Sequence, residues 1–268
     1  MRYALSAAGL ERVHSCVAGK ALLAFDIDGT LAPIVDRPWD ARVPDDVQRG
    51  LAALAARRSV AIVTGRAVND ARPMLGFSPR YLIGNHGAEG VPGFERASAA
   101  FARVCRGWLD ELSAGTEPWR AVPGVTLEDK TCSLAFHYRG AADRHAAREL
   151  LAERAERLMP APTVLDDKCV TNLVPPGAPD KGDALGALLV HSRCERALYV
   201  GDDVSDEAVF RLRSPLVLSV RVERHPKSAA DLYLKDQSEV PRLVRMLARM
   251  LAGTRSARSA PEHRGETH

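Results

Sequence analysis

The residues best suited to chemistry lie in residues 21–31, where five apolar residues run directly into Asp26, Asp28, Gly29 and Thr30. An apolar run this short is consistent with a strand that is buried on both faces of a parallel sheet. Such sheets place their chemistry just past the carboxyl ends of the strands, so we expect both carboxylates at a strand tip. This arrangement suits Mg²⁺ with a phosphate group, because Mg²⁺ takes oxygen ligands and keeps water and phosphate oxygens in its shell.

The same Asp-x-Asp-Gly pattern also occurs in plain turns and in calcium-binding loops. A calcium loop needs further oxygen donors and a glutamate within the next ten residues. Residues 31–38 read Leu-Ala-Pro-Ile-Val-Asp-Arg-Pro, which does not match that pattern. Calcium binding is therefore disfavoured, while a plain turn stays open until the rest of the chain is considered.

Polar residues also follow two other short apolar runs and mark one helix start. Thr64 follows the run 59–63, and the run 197–200 leads into an acidic group made of Asp202, Asp203 and Asp206. Lys181 stands near the predicted start of a helix. Each has an ordinary structural explanation, as a turn residue, a helix-end charge or a solvated lysine. Because the carboxyl ends of parallel strands share one edge of a sheet, we expect the whole set to meet there.

Phosphoryl transfer is the chemistry that this set can perform. Asp26 is the predicted nucleophile, because a carboxylate that attacks phosphorus forms an acyl phosphate and divides one hard step into two easier ones. Asp28 is the predicted general acid and later general base. Mg²⁺ and Lys181 offset the repulsion between the anionic nucleophile and the phosphate. Thr64 is expected to donate a hydrogen bond to a phosphoryl oxygen.

Three more residues receive supporting roles in this hypothesis. Gly29 is expected to let backbone N–H groups approach the phosphate. Asp202 is expected to complete a Mg²⁺ shell with Asp26 and Asp28. Asp206 is expected to hold either a metal-bound water or Lys181.

The elements that position these residues alternate between strand and helix. The runs 21–25, 59–63 and 81–84 read as buried strands, with a helix between the first two, and this rhythm predicts an α/β fold with a doubly wound, Rossmann-like parallel sheet. The order of elements changes at about residue 96. From there the pattern is a helix, two strands, a helix and two strands, which predicts a small α+β module. Pro- and Gly-rich breaks flank that module. We predict a core at 1–91 and 177–252, an inserted α+β cap at 92–176, and a flexible tail at 253–268.

Composition limits the class of protein. The 268 residues are 46% apolar and 26% charged, which is ordinary for a soluble globular chain. A net charge of +3 is too small and too evenly spread to favour nucleic acid, and no apolar stretch has the length of a membrane span. The five scattered cysteines indicate neither a disulfide framework nor a zinc site. We expect a cytoplasmic monomer or weak oligomer that acts on a small molecule.

At this point the motifs resemble those of the haloacid dehalogenase superfamily of phosphatases. The resemblance rests on Asp-Ile-Asp-Gly-Thr at 26–30, Thr-Gly-Arg at 64–66, Lys181, and Gly-Asp-Asp-Val-Ser-Asp at 201–206. It implies that Asp28 binds Mg²⁺ through its backbone carbonyl and that Asp203 and Asp206 support the metal from outside its shell. It also implies phosphate contacts from Gly65 and Arg66, together with Gly29, Thr64 and Lys181.

Strings along nearly the whole chain are more specifically similar to the trehalose-6-phosphate phosphatase family. They include His-Gly-Ala-Glu at 86–89, Phe-His-Tyr-Arg at 136–139 and Asp-Lys-Gly-Asp-Ala-Leu at 180–185. The resemblance implies sugar recognition by the cap, and the residues implicated are Glu89, His137, Arg139, Lys168 and Asn172. Alternation along 132–139 supports this independently, since Leu134, Phe136 and Tyr138 share one face while His137 and Arg139 share the other.

One departure from the family concerns residues 168–175. The family usually shows Lys-x-x-x-Glu-x-Lys/Arg-Pro, whereas this chain has Asn172 in place of the acid and Val174 in place of the base. Asparagine can bind a sugar hydroxyl but lacks the charge-assisted strength of a carboxylate. The expected reaction is Mg²⁺-dependent hydrolysis of trehalose 6-phosphate. The alternatives are a phosphatase for a sucrose- or mannosyl-type phosphate, a phosphomutase, and a non-catalytic sugar-phosphate sensor.

Overall fold

The computed structural model describes residues 1–35, 38–114, 117–167 and 169–253. Its strands are β1 (Arg2–Tyr3), β2 (Ala21–Phe25), β3 (Ser59–Val63), β4 (Tyr81–Ile83), β5 (Thr126–Asp129), β6 (Leu134–His137), β7 (Thr163–Asp167), β8 (Val170–Val174), β9 (Arg196–Gly201), β10 (Val217–Val222) and β11 (Leu232–Leu234). Its helices are α1 (Ala7–Val17), α2 (Asp45–Ala55), α3 (Val68–Ala71), α4 (Glu95–Ser113), α5 (Arg144–Glu156), α6 (Lys181–Ser192), α7 (Glu207–Phe210) and α8 (Val240–Gly253).

The larger sheet is parallel and has helices on both faces. Its strand order is β1-β11-β10-β9-β2-β3-β4, and every neighbouring pair runs parallel. One face packs against α1, α2 and α8 through residues such as Val17, Leu51 and Leu247. The other face packs against α6 and α7 through residues such as Leu188 and Phe210. The predicted doubly wound α/β fold is confirmed.

The smaller sheet is antiparallel and has the order β5-β6-β8-β7. Side chains from one of its faces join those of α4 and α5 in a separate apolar cluster that includes Trp108, Leu134, Phe136 and Leu151. The alternate residue His137 points instead to the cavity described below, together with Asn172 of β8. All four strands and both helices fall within the predicted cap at 92–176, whose boundaries remain a prediction.

Three details differ from the sequence-based expectations. The edge strand β1 and its neighbour β11 have two and three residues, and neither was predicted. Strand β6 covers Leu134–His137 rather than 132–139, because residues 131–133 bend after β5 and a further turn begins at Tyr138, whose carbonyl accepts from the Ala141 N–H at 3.1 Å. Helix α8 reaches Gly253, so the first residue of the predicted tail is helical, while 254–268 lie outside the described residues. Within the described part of the chain, no helix is both long enough and apolar enough to cross a bilayer.

Candidate active site

The site lies where the strand order changes direction. The chain runs from β2 outward through β3 and β4, whereas β9, β10 and β11 extend on the opposite side of β2. Phe25, the last residue of β2, pairs with Val200 on one side and with Ile62 on the other. This register brings Asp26 level with the ends of both neighbouring strands, and its backbone N–H donates to the Val200 carbonyl at 2.9 Å. Ligands in open α/β sheets bind at such points.

Lys181 reaches this edge from the first turn of α6. The helix begins with a capping box, in which Asp180 accepts from the backbone N–H of Asp183 and Asp183 accepts from that of Asp180. The Lys181 side chain is 2% exposed, and its Nζ lies 2.7 Å from Asp206 Oδ1 and 3.2 Å from Asp26 Oδ2. Burial by itself lowers the pKa of Lys181, but the carboxylates of Asp206 and Asp26 outweigh it and raise that pKa. Lys181 is therefore a cation throughout the physiological range.

Asp206 is fully buried and accepts four hydrogen bonds. Lys181 Nζ and the Tyr199 hydroxyl donate to Oδ1, the latter at 2.6 Å. The backbone N–H groups of Asp202 and Asp203 both donate to Oδ2 at 2.9 Å. These bonds fix the loop after β9 and the position of the Lys181 ammonium, so the geometry agrees with the expectation that Asp206 holds Lys181.

The Asp202 carboxylate is oriented from the opposite side by the loop after β2. Thr30 Oγ1 donates to Asp202 Oδ1 at 2.9 Å. Gly29 has φ 75°, and a Cβ at this position would lie 2.1 Å from Asp202 Oδ2. The Gly29 N–H donates to the Ala32 carbonyl at 2.8 Å. Glycine is thus required for the close approach of Asp202. Its own N–H is engaged by Ala32, and the expected approach of other backbone N–H groups to the phosphate stays a prediction.

The acidic groups at this edge are poised to hold a cation. Oxygens of Asp26, Asp202 and Asp206 lie within 4.8 Å of one another. Burial and the neighbouring carboxylates raise the pKa of Asp26 well above its usual value, although Lys181 opposes this. Burial and the charge of Asp206 raise the pKa of Asp202 to about 7. Moreover, Asp26 Oδ1 is buried without a hydrogen-bond partner among the described residues. A divalent ion would supply that partner and restore both ionised forms, so the residues fit a metal.

The position of the Asp28 side chain leaves the expected ligand set as it stands, since Asp28 was expected to bind Mg²⁺ through its backbone carbonyl. Asp28 does not join the carboxylate cluster, because both of its oxygens accept from the Arg66 guanidinium, Nε to Oδ2 and Nη2 to Oδ1, each at 2.6 Å. Its backbone carbonyl stays the predicted contact. Arg66 correspondingly binds Asp28 here, although it was expected to bind phosphate. The Asp28 side chain is 40% exposed and lines the cavity, as proton transfer requires.

Thr64 and Gly65 complete the phosphate end of the cavity. Thr64 is 1% exposed, and its Oγ1 accepts from the Arg66 backbone N–H at 3.3 Å, which leaves its hydroxyl hydrogen available to a ligand. A Cβ on Gly65 would lie 2.4 Å from His86 Cε1, so glycine is needed beneath that imidazole ring. Burial and the charges of Lys181 and Lys130 lower the pKa of His86 well below its usual value.

The cap sheet forms the opposite wall of the cavity. His137 Nε2 lies 2.6 Å from Glu128 Oε2 on the neighbouring strand. Asn172 Oδ1 accepts from Lys130 Nζ at 3.1 Å, and its Nδ2 donates to the Leu165 carbonyl at 3.3 Å. These side chains and Arg139 line the cavity with the catalytic candidates. The structure therefore places three of the five predicted sugar-binding residues at the cavity: His137, Arg139 and Asn172.

The other two predicted sugar-binding residues are not placed there. Glu89 Oε2 accepts from the backbone N–H of Val68 at 2.9 Å and from Asn85 Nδ2 at 2.8 Å, and Glu89 is absent from the cavity lining. It therefore stabilises the loop after β4 rather than facing a ligand. Lys168 lies outside the described residues.

Sequence reasoning missed Glu128 and Lys130, which stand on or beside β5. Lys130 is 9% exposed, and its Nζ also reaches the Gly65 carbonyl at 3.4 Å. Alternation along 126–129 was the available signal, because Glu128 faces the same side as His137. For Lys130 no comparable signal existed, since it lies in the turn that follows the strand.

The same turn joins the cap to the core. Asn85, fully buried after β4, donates from Nδ2 to the Lys130 carbonyl at 2.9 Å and accepts from Ser133 Oγ at 2.5 Å. Its backbone N–H donates to the Arg66 carbonyl at 2.8 Å. One asparagine therefore ties the cap turn to the loop that carries Thr64 and Arg66.

Comparison with known proteins agrees with this geometry. The family model described as "Trehalose-phosphatase" matches residues 24–238. A probable trehalose-phosphate phosphatase from Sinorhizobium fredii is 36% identical over 211 residues, which cover 75% of this chain and 77% of that protein. An uncharacterized glycosyl hydrolase from Mycobacterium tuberculosis is 32% identical over 195 residues, covering 69% of this chain but 15% of that longer protein.

A solved structure shares the fold. The C-terminal domain of the trehalose-6-phosphate phosphatase from C. albicans superposes with a TM-score of 0.73 at 21% identity, covering 93% of this chain and 98% of that domain. The family match extends from the end of β2 to the start of the last helix and includes every residue of the carboxylate and lysine cluster. This chain belongs to the trehalose-phosphatase family.

Proposed function

We propose that this chain hydrolyses trehalose 6-phosphate to trehalose and inorganic phosphate, with Asp26 as the nucleophile. The observation that carries the proposal is the environment of Asp26. Its Oδ2 pairs with Lys181 at 3.2 Å, while Oδ1 has no partner in the described chain, at one end of a cavity whose far wall is the cap. The names of the relatives at 32–36% identity support the choice of substrate.

The reaction proceeds in two displacements. In the first, an Asp26 carboxylate oxygen attacks phosphorus, the bond from phosphorus to the sugar oxygen breaks, and the leaving oxygen takes a proton from Asp28. In the second, water attacks phosphorus, gives a proton to Asp28, and releases phosphate and the Asp26 carboxylate. Arg66 donates one hydrogen bond to each Asp28 oxygen, so each oxygen keeps a second lone pair that can carry the proton while Arg66 stays bound.

Mg²⁺, when bound, supplies positive charge that offsets the repulsion between the carboxylate nucleophile and the phosphate. The side chains of Asp26 and Asp202 and the backbone carbonyl of Asp28 would hold it, with Asp203 and Asp206 supporting that set. Lys181 adds a fixed cation beside the nucleophile, and Thr64 offers its hydroxyl hydrogen to a phosphoryl oxygen. Electrostatic stabilisation of this kind is the main contribution a protein makes to phosphoryl transfer.

Recognition of the sugar falls to the cap in this proposal. His137, Arg139, Asn172 and the adjoining Glu128 and Lys130 line the wall opposite Asp26. We propose that the cap comprises 92–176 and opens about its flanking breaks for substrate entry. We also propose that the protein acts in the cytoplasm, because its five cysteine thiols are unpaired. The proposal further takes it to be a monomer or weak oligomer.

A second candidate substrate deserves a test because of Asn172. Its amide is held by Lys130 and the Leu165 carbonyl and brings no charge to the cavity, so a different sugar phosphate, such as a sucrose- or mannosyl-type compound, is the competing possibility. Phosphate release should be measured from trehalose 6-phosphate and these alternatives, with and without Mg²⁺. We expect the highest kcat/KM for trehalose 6-phosphate and dependence on Mg²⁺. A preference for another sugar phosphate, or isomer exchange without free phosphate, would contradict the proposal.

A further inference from the structure

The catalytic cavity is too small for a whole disaccharide phosphate. Its volume is about 180 Å³. Sites for small-molecule ligands usually enclose roughly 300–1,000 Å³. The space beside Asp26 therefore accommodates the phosphate and the atoms next to it, and the rest of the substrate must extend into an adjoining space.

An adjoining space exists between the cap and the core. A second cavity of about 930 Å³ lies beside the first, and the two share five lining residues: Arg66, Glu128, His137, Arg139 and Val170. We call this second space the distal groove. Its core wall is formed by Trp39, Asn69, Asp70 and Met74, and its cap wall by residues of β5 and the segment after β6.

Trp39 is unusual among the three tryptophans of the chain. Trp108 and Trp119 are 0% and 5% exposed and belong to the apolar cluster of the cap, whereas Trp39 is 68% exposed. Its backbone is anchored, because Arg42 Nη1 donates to the carbonyls of Trp39 and Ala41 at 2.7 Å each. The indole thus contributes little burial to folding, although it lies on an ordered turn at the wall of the groove.

We propose that the distal groove binds the second, unphosphorylated sugar ring of the substrate, with the Trp39 indole as the stacking surface. Sugar rings present apolar C–H faces and polar edges, and ligand sites combine aromatic surfaces with a few polar groups in the same way. The exposed side chains of Asn69 and Asp70 border the groove and offer acceptors for the ring's hydroxyl groups. Trp39 therefore contributes to the binding of disaccharide phosphates and not to the binding of monosaccharide phosphates. This inference rests on the proposed function.

Kinetics on two substrates test this role. The variants are Trp39→Ala, Trp39→Phe and, as a control, Val190→Ala, which truncates another exposed apolar residue on α6 (81% exposed), away from both cavities. We expect Trp39→Ala to lower kcat/KM for trehalose 6-phosphate by roughly three- to tenfold, mostly through KM, the loss expected for one aromatic contact. Hydrolysis of glucose 6-phosphate should be unchanged, Trp39→Phe should recover most of the loss, and Val190→Ala should match the wild type on both substrates.

Three outcomes would overturn the inference. One is an equal loss on both substrates in Trp39→Ala, and another is no loss on either. The third is a disaccharide-selective loss in a further variant, Ile34→Ala, and not in Trp39→Ala, because Ile34 lines the catalytic cavity but not the distal groove and would mark a different path for the second ring. In all three cases the wild-type protein still hydrolyses trehalose 6-phosphate. If the wild type does not, the proposed function itself fails, and this inference fails with it.

Fluorescence provides a readout that does not depend on activity. Trp39 is the exposed tryptophan, so titration with trehalose should shift the wild-type emission to shorter wavelength as the sugar displaces water from the indole. The shift should be absent in Trp39→Phe, which retains both buried tryptophans. An identical spectral change in the two proteins would contradict placement of the sugar on Trp39.

Discussion

Replacing Gly29 by alanine should lower the enzymatic activity far more than it lowers the stability of the fold. The new Cβ would lie 2.1 Å from Asp202 Oδ2, whereas real Cβ contacts are essentially never shorter than 3.0 Å. The Asp202 carboxylate would have to retreat by about 1 Å, which breaks its bond to Thr30 and displaces a proposed metal ligand; a misplacement of that size costs about 100-fold in rate. The positive φ of 75° adds strain of about 1–2 kcal/mol.

A matched control separates the two effects. Gly177 has φ 77°, and a Cβ there would meet nothing within 4 Å. Gly177→Ala therefore carries the same backbone strain without the collision. Because Gly177 lies in the break that flanks the proposed cap, this variant is a control for stability and for Mg²⁺ binding, and turnover is compared with the wild type. Both variants should lose about 2–8 °C in Tm, since 1 kcal/mol corresponds to roughly 2–4 °C in a chain of this size. Gly29→Ala should lose most of its kcat relative to the wild type, and of the two variants only Gly29→Ala should lose its stabilisation by Mg²⁺.

The assay compares phosphate release from trehalose 6-phosphate with thermal unfolding in the presence and absence of Mg²⁺. Wild-type activity in Gly29→Ala would contradict this role of Gly29, because Asp202 would then tolerate the displacement. A much larger loss of Tm in Gly29→Ala than in Gly177→Ala, with activity retained, would show that the contact serves the fold rather than the site.

Three further predictions concern the same edge of the sheet. Lys181→Met leaves Asp206 and Asp26 without their buried cation, so it should abolish turnover and lower the unfolding free energy by about 3–5 kcal/mol. Tyr199→Phe removes one of four donors to Asp206 and should lower the unfolding free energy by about 1 kcal/mol. Chemical denaturation measures both losses. Ser133→Ala leaves the buried Asn85 Oδ1 without its donor and should lower the unfolding free energy by about 1–3 kcal/mol. The variant should also raise KM, because the cap loses a hydrogen bond to the core. An unchanged KM would contradict a role of this bond in substrate binding. The pKa of Asp202 is raised from 3.8 to about 7, so the folded protein binds this proton more tightly than the unfolded chain does. As the pH rises between those two values, the Tm of the metal-free wild type should therefore fall relative to the Tm of Asp202→Asn. Mg²⁺ should raise the wild-type Tm more at neutral than at acidic pH.

The sequence predicts the central elements well because their signal is local. The five residues of β2 are all buried, and the run of apolar residues that predicts the strand ends where the strand ends. The edge strand β1 and its neighbour β11 are too short to carry such a signal. Two residues, one of them Arg2, become a strand only because the backbone of Arg2 pairs with residues 230 positions away along the chain.

The cluster of Asp26, Lys181 and Asp202 follows from the shared edge of a parallel sheet, and sequence reasoning finds it for that reason. The sequence does not predict which hydrogen-bond partner each group in the site binds. Arg66 binds Asp28 across 38 residues, and only the register of β2 against β3 brings them together. Glu89 turns inward because Asn85 and the backbone of Val68 offer donors there, which no local pattern reveals.

The most direct test of the account is to identify the residue that carries the phosphoryl group. The protein should be quenched in acid during turnover of trehalose 6-phosphate with Mg²⁺, reduced with borohydride, and digested for peptide mass spectrometry. An acyl phosphate at Asp26 predicts conversion of this residue to homoserine in the peptide that contains it, and no conversion in Asp26→Asn, which should be folded and inactive. Reduction at another carboxylate, or full activity in Asp26→Asn, would contradict the assignment of Asp26 as the nucleophile.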